Sequence, residues 1–134
     1  MHAETFALCD AATDQGGKLN ILGTFDTLYV PSVPAKHASC AIALRVRVEK
    51  SEEGEHDFKI AIIDEDGNHA IPAIQGKLGV RVPAGFDTTS ANLVVNFQGL
   101  ELRHIGDHRI DFLVGNRVTA SIPLHVRLHP ARNA

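Results

Sequence analysis

From Val118 to Leu128 the chain alternates without a break. Val118, Ala120, Ile122, Leu124, Val126 and Leu128 share one parity, and Thr119, Ser121, Pro123, His125 and Arg127 share the other. Successive side chains of an extended chain point to opposite faces, so this run is a strand with one face in a core and one in water. The same rhythm recurs along the chain and leaves almost no room for helices. About eight strands follow, near residues 4–10, 18–26, 39–49, 56–64, 74–82, 91–98, 107–114 and 118–128.

Turn-forming residues fill the breaks. Asp14-Gln15-Gly16-Gly17, Ser51 to Glu55, Asp64-Glu65-Asp66-Gly67-Asn68 and Gly115-Asn116 each separate two runs. The last pair of runs permits a register argument. Ile110, Phe112 and Val114 look inward, as do Val118, Ala120 and Ile122, and all six positions are even. A plain two-residue turn would set Val114 opposite Arg117 and turn one apolar set into water. The connection is therefore a three-residue loop of Gly115, Asn116 and Arg117, or a two-residue turn with an adjacent bulge. Pro123 cannot donate to a ladder, which puts the last strand at an edge or a bulge and disfavours a ladder continued along that edge.

Frequent turns between short strands indicate an all-β, immunoglobulin-like, two-sheet antiparallel sandwich. Ile105 to Phe112 adds to this, because it resembles the corner before the sixth strand of such sandwiches, with His108 where a Tyr usually stands two residues after Gly. The 134 residues suit one domain spanning 1–134, with 129–134 read as a frayed tail.

Thirteen basic against sixteen acidic side chains give a net charge of −3, and the basic residues are scattered, so nucleic acid is not an expected partner. Met1-His2-Ala3-Glu4-Thr5 has no basic region followed by an apolar stretch, and no window approaches the apolar length of a membrane span. A cytoplasmic location without membrane association is the expectation. Cys40 shares its parity with Ile42, Leu44, Val46 and Val48, whereas Cys9 alternates against Phe6 and Leu8. Opposed faces in a reducing compartment argue for two free thiols.

Eight histidines raise the question of a metal. His125 and His129 lie four apart on one strand face, about 13 Å at ~3.3 Å per residue, too far to share an ion. His37 and Cys40 fall on opposite faces of a regular strand, and His104, Asp107 and His108 read as solvated turn residues. Asp64 to His69 has carboxylates spaced like a short calcium loop but lacks the closing Glu and flanking helices of an EF-hand, leaving an Asp-Gly loop. No serine stands in a Gly-x-Ser-x-Gly elbow, and Gly16-Gly17-Lys18 lacks the rest of a phosphate loop. No catalytic residue, cofactor or metal ligand is assigned, and the balance is against an enzyme.

Three surface features remain as interaction candidates. Asn92, Asn96 and Gln98 form an amide row opposite the inward set Leu93, Val95 and Phe97. Tyr29-Val30-Pro31-Ser32-Val33-Pro34 is an extended apolar connection matching P-x-x-P, read chiefly as a cover over one end of the core. Phe86 stands in the loop Val82-Pro83-Ala84-Gly85-Phe86-Asp87; tucked, it caps the core, and exposed, it would anchor a partner. Of these two, the tucked position is the expectation.

Phe6 to Asp10, Gly17 to Asp26, Ile63 to Gly67 and Asn92 to Leu100 together resemble a family of small single-domain bacterial proteins, a domain of unknown function. The likeness spans nearly the whole chain, and Gly17 to Asp26 is its most specific part. It implies a compact bacterial β-sandwich and carries no activity onto these residues. The leading functional expectation is a non-enzymatic sandwich acting through contacts with itself or with another bacterial protein. The alternative is a small polar-ligand binder or hydrolase with a site on the Asn92/Asn96/Gln98 face.

Overall fold

The computed structural model describes residues 1–130. It is all-β, with nine strands: β1 (His2–Gln15), β2 (Lys18–Thr24), β3 (Thr27–Val30), β4 (Ala35–Glu49), β5 (Gly54–Ile63), β6 (Ile74–Val80), β7 (Thr88–Leu102), β8 (Gly106–Val114) and β9 (Arg117–Leu128). One 3₁₀ turn, Lys50–Glu52, links β4 to β5, and no helix among the described residues is long and apolar enough to cross a membrane. The strands form two sheets, ordered β2-β1-β4-β7 and β3-β9-β8-β5-β6, the second curled into a half-barrel.

The core lies between the sheets. Ile42, Leu44, Val46 and Val48 of β4 face Ile60 and Ile62 of β5, Ile110 and Phe112 of β8, and Leu124 and Val126 of β9. Each set comes from one parity of its strand, as the alternation requires. The parity changes once within β4 and β7. Gly99, at φ +65°, lets Leu100 and Leu102 turn inward after Phe97, while Ala38 and Ser39 both stay exposed opposite it.

Two departures from the expected strands have physical causes. Thr27–Val30 is a ninth strand, and it runs parallel to β9, pairing Thr27 with His125 and Val30 with Leu128. The antiparallel expectation fails at this edge because the pairing is made with a strand about a hundred residues away, which no local turn announces. Strand β1 runs on to Gln15 because its second half pairs with β2 through a two-residue turn. Gly16 and Gly17 take φ of +58° and +78°, the two positive values a type I′ turn requires.

The final hairpin takes the second of the two permitted forms. Val114 pairs with Arg117 and Leu113 with Val118 across a Gly115-Asn116 turn, and the register then shifts so that Phe112 meets Ala120. Thr119 is the extra residue of the bulge, and beyond it the apolar parities of both strands coincide. The bulge costs the expected inward position of Val118, which is 53% exposed. Leu128, at the other end, is exposed as well, so the alternation buries its middle and not its ends.

Pro123 sits where β9 has an open edge. The His125 N–H donates to Asp26 O at 2.7 Å, toward β3, so residue 123 faces the same side, beyond the reach of that short strand. The frayed-tail expectation fails at His129. Its N–H donates to Val30 O at 3.0 Å and its ring stacks on Tyr29. The rest of that tail, 131–134, lies outside the described residues.

Gly76 of β6 is opposite Phe58, and an added Cβ there would lie 2.7 Å from Phe58 Cζ. The ring lies across the glycine and packs 6.3 Å from Phe112. Gly76→Ala is expected to destabilise the fold by about 1–3 kcal/mol in urea unfolding, as overpacking does. The same change in a Phe58→Leu background should cost less. Equal costs in both backgrounds would mean that the ring is not what excludes the side chain.

Candidate functional site

The outer face of the four-stranded sheet carries the amide row. As the alternation requires, Leu93, Val95 and Phe97 pack toward the core while Asn92, Asn96 and Gln98 lie opposite. Strand β1 pairs with β4 only from His2 to Cys9, and from there its ladder is with β2. The β1–β2 hairpin folds back over the outer face of its own sheet. Beneath it Cys9, Ala41 and Ala43 are completely buried, packed with Ala12, Leu19, Ile21 and Val94. This second apolar layer is thin, and the small side chains of Ala41 and Ala43 let the hairpin come close.

A polar clamp holds the tip of the hairpin. Asn92 donates through Nδ2 to Gly17 O at 3.0 Å and to Asp14 Oδ1 at 3.4 Å, and its Oδ1 accepts from Arg45 Nη1 at 3.1 Å. Arg45 also donates to Gly17 O at 3.3 Å. Asn92 is thereby committed to the fold, while Asn96 and Gln98 remain exposed. The three amides are one row on the backbone and two different environments in space.

The two aromatic candidates stand at opposite ends of the molecule. Phe86 is 62% exposed, which corrects the tucked expectation. Its N–H donates to Pro83 O at 3.1 Å, closing the turn from which the ring projects, while Val82 of the same loop is buried. The turn is fixed to the residue after β4 by a bond from Lys50 N–H to Asp87 O. Tyr29 lies on the far side, before β4 begins. The connection does cover that end, through buried Val30 and half-buried Val33, and Tyr29 falls on the other parity, 56% exposed.

Among the histidines the structure makes a grouping of its own. Asp107 pairs across the ladder with His125, whose Nδ1–H donates to Asp107 Oδ1 at 2.8 Å, and Arg127 Nη2 donates to the same oxygen. The Arg127 hydrogen bond, and after it that of His125, hold the Asp107 carboxyl below the usual carboxylate range. His108 points the other way, buried, with Nδ1–H donating to Gly106 O at 3.2 Å. The trio is thus divided, with His104 in the bend before β8, Asp107 on the exposed face of that strand and His108 on its buried face, which corrects the reading of all three as solvated turn residues. The sequence did hold a signal for the new pair, since the register pairing Ile110 with Ile122 also pairs residue 107 with 125.

The Asp64 loop is closed on itself. Asp64 Oδ1 accepts from Asp66 N–H at 3.0 Å and from Asn68 N–H at 2.9 Å. Both cysteines are free thiols on opposite faces, Cys9 in the outer layer and Cys40 in the main core. Burial pushes the Cys40 thiol up to about 11 and raises Cys9 as well, so neither is a thiolate near neutral pH.

The chain matches the model of the family of unknown function DUF6941 over residues 4–127. It belongs to that family. The match runs from the start of β1 into β9, so it takes in both sheets, the hairpin, and the exposed aromatics. No curated protein matches the chain. The stretch that carries the family resemblance most specifically, Gly17 to Asp26, is the returning arm of the hairpin. It supplies the clamped carbonyl of Gly17, the covering side chains Leu19 and Ile21, and the Asp26 carbonyl that accepts from β9. Gly23, at φ +69°, lies so close to Asp10 that a Cβ would fall 2.5 Å from its carboxylate.

Two outcomes follow. Both thiols should resist a disulfide reagent at pH 7 in the native protein, and Asn92→Ala should speed labelling of Cys9 by about 5- to 30-fold through hairpin opening while leaving Cys40 slow. Uniform acceleration of both would mean global loosening instead. Because Asp107 has a lowered pKa, its pairing stabilises the fold above the ordinary carboxylate range and is lost as pH falls through the lowered value. Asp107→Asn should therefore flatten the acid limb of stability below about pH 4 in urea titrations.

Proposed function

We propose that this protein is a non-catalytic module that works through protein–protein contacts, with itself or with another protein. The observation that carries this reading is Phe86, held out in water at 62% exposure by a closed turn. An aromatic side chain on a closed turn keeps apolar surface in water that a partner would cover, which is the profile of an anchor. Tyr29, stacked on His129, is a second preset ring at the far end. The two stand too far apart to serve one small contact. The rival reading, a polar-ligand binder or hydrolase on the amide face, is weakened because Asn92 uses both ends of its amide within the fold.

The same reading makes the domain immunoglobulin-like, bacterial and cytoplasmic. The strand order supports the first point. β1, β4 and β7 in one sheet and β9, β8 and β5 in the other correspond to strands A, B, E and G, F, C of such sandwiches. The family resemblance supports a bacterial source. Two buried thiols left unbridged suit a reducing compartment.

Light scattering over a concentration series tests the contact reading. Assemblies larger than a monomer are expected, and Phe86→Asp should weaken any contact made through that loop by at least about tenfold. A strict monomer, indifferent to that change, would remove self-association and leave only contact with a different protein.

A further inference from the structure

Two open sheets leave four outermost strands, β2 and β7 in one and β3 and β6 in the other, besides the first half of β1, which carries Glu4 and lies near β9. Proteins blunt such edges because unpaired backbone groups recruit other strands. Three of these four are blunted. β3 has four residues; β2 has seven, with Lys18 and Gly23, and belongs to the folded-back hairpin; β6 has seven, with Lys77, Gly76 and Gly79. The open half of β9 carries Pro123. Strand β7 is different. It runs fifteen residues, Thr88–Leu102, with no Pro, Lys or Arg, and its single charge is Glu101 near the end. Its backbone pairs with β4 alone, and among the described residues no other backbone hydrogen bond reaches it.

We infer that the free edge of β7 is the docking surface for the same edge of a second copy of this chain, antiparallel across a two-fold axis. The two four-stranded sheets then become one of eight strands. Self-complementarity favours a second copy over an unrelated strand. An antiparallel ladder presents each edge with its own donor and acceptor pattern after a two-fold rotation. From Thr88 to Leu100 the strand is uncharged, so two copies meet without repulsion.

Side-chain facing then restricts the register. Partners on one face must share parity, so their numbers sum to an even value. Centred on Val94, the pairing sets Asn92 opposite Asn96 of the second copy, Ser90 opposite Gln98, and Leu93 opposite Val95. On the outer face Asn96 comes beside the clamped Asn92 of the second copy and Gln98 beside Ser90, and on the inner face apolar meets apolar. Leu93 and Val95 face the core yet are only half-buried, which an edge position explains and a neighbouring strand would complete. This inference rests on the contact reading above but names a different surface from Phe86.

The test combines sedimentation with a cysteine pair. The wild-type chain should sediment as a dimer, and Ser90→Cys/Gln98→Cys should form a covalent dimer under mild oxidation while neither single variant does. The two new thiols cannot bridge within one chain, being about 26 Å apart along the strand. Cys9 and Cys40 are buried and do not compete. Asn96→Lys/Gln98→Lys, both at exposed positions, should weaken the dimer by at least about tenfold with an unchanged circular dichroism spectrum. A monomer at every concentration would overturn the inference. So would a dimer that neither crosslinks nor responds to the lysines. A dimer that dissociates with Phe86→Asp alone would overturn it as well, while leaving the Phe86 contact standing.

Discussion

Five consecutive side chains of β4, Cys40 to Leu44, are buried, and the rest of the architecture depends on that double burial. A strand in an antiparallel sheet ordinarily wets one face. Here Cys40, Ile42 and Leu44 enter the main core, while Ala41 and Ala43 lie beneath the β1–β2 hairpin. The large residues drive the packing of sheet on sheet, each contributing roughly 1.5–3 kcal/mol of burial. The alanines contribute little area themselves, but they set how closely the hairpin can lie. A larger residue at either position would lift Leu19 and Ile21 away and pull Gly17 from Asn92 and Arg45. The polar clamp is thus a consequence of the small residues under it.

The strand pattern was legible because most strands turn one parity toward a core, and period 2 records that directly. The last hairpin shows how far this reaches. Requiring Ile110, Phe112, Ala120 and Ile122 to share a face predicts an odd connection, and the bulge at Thr119 supplies it. What the rhythm does not hold is pairing at a distance. Thr27–Val30 carries the alternation of a strand, yet nothing local says that it leaves its neighbours and runs parallel to β9. Cys40-Ala41-Ile42-Ala43-Leu44 did carry a readable sign of double burial, since it alternates large with small instead of apolar with polar.

The candidate surface was legible in direction and not in environment. Alternation placed Asn92, Asn96 and Gln98 opposite Leu93, Val95 and Phe97, and the structure agrees. It could not separate Asn92 from the others, because the clamp is made with Gly17 and Asp14, some 75 residues earlier. Phe86 shows the same limit in a loop. Which side chain of a loop turns inward depends on how the loop closes, and here Val82 is buried while Phe86 is not.

The hairpin that closes one part of this sheet also defines what is left. It covers Ala41, Ala43 and Val94 and binds Asn92, so the outer face offers no broad open area around the amides. Asn96 and Gln98 remain as a strip bordering the free edge of β7. A small ligand there would meet exposed side chains at a sheet margin, whereas sites that hold small molecules are concave. A strand laid along β7 meets the same margin differently. It satisfies the backbone groups that point away from β4 and brings its own side chains beside the two amides. The polar strip and the open edge are therefore one surface, and its geometry suits an extended chain better than a compact ligand.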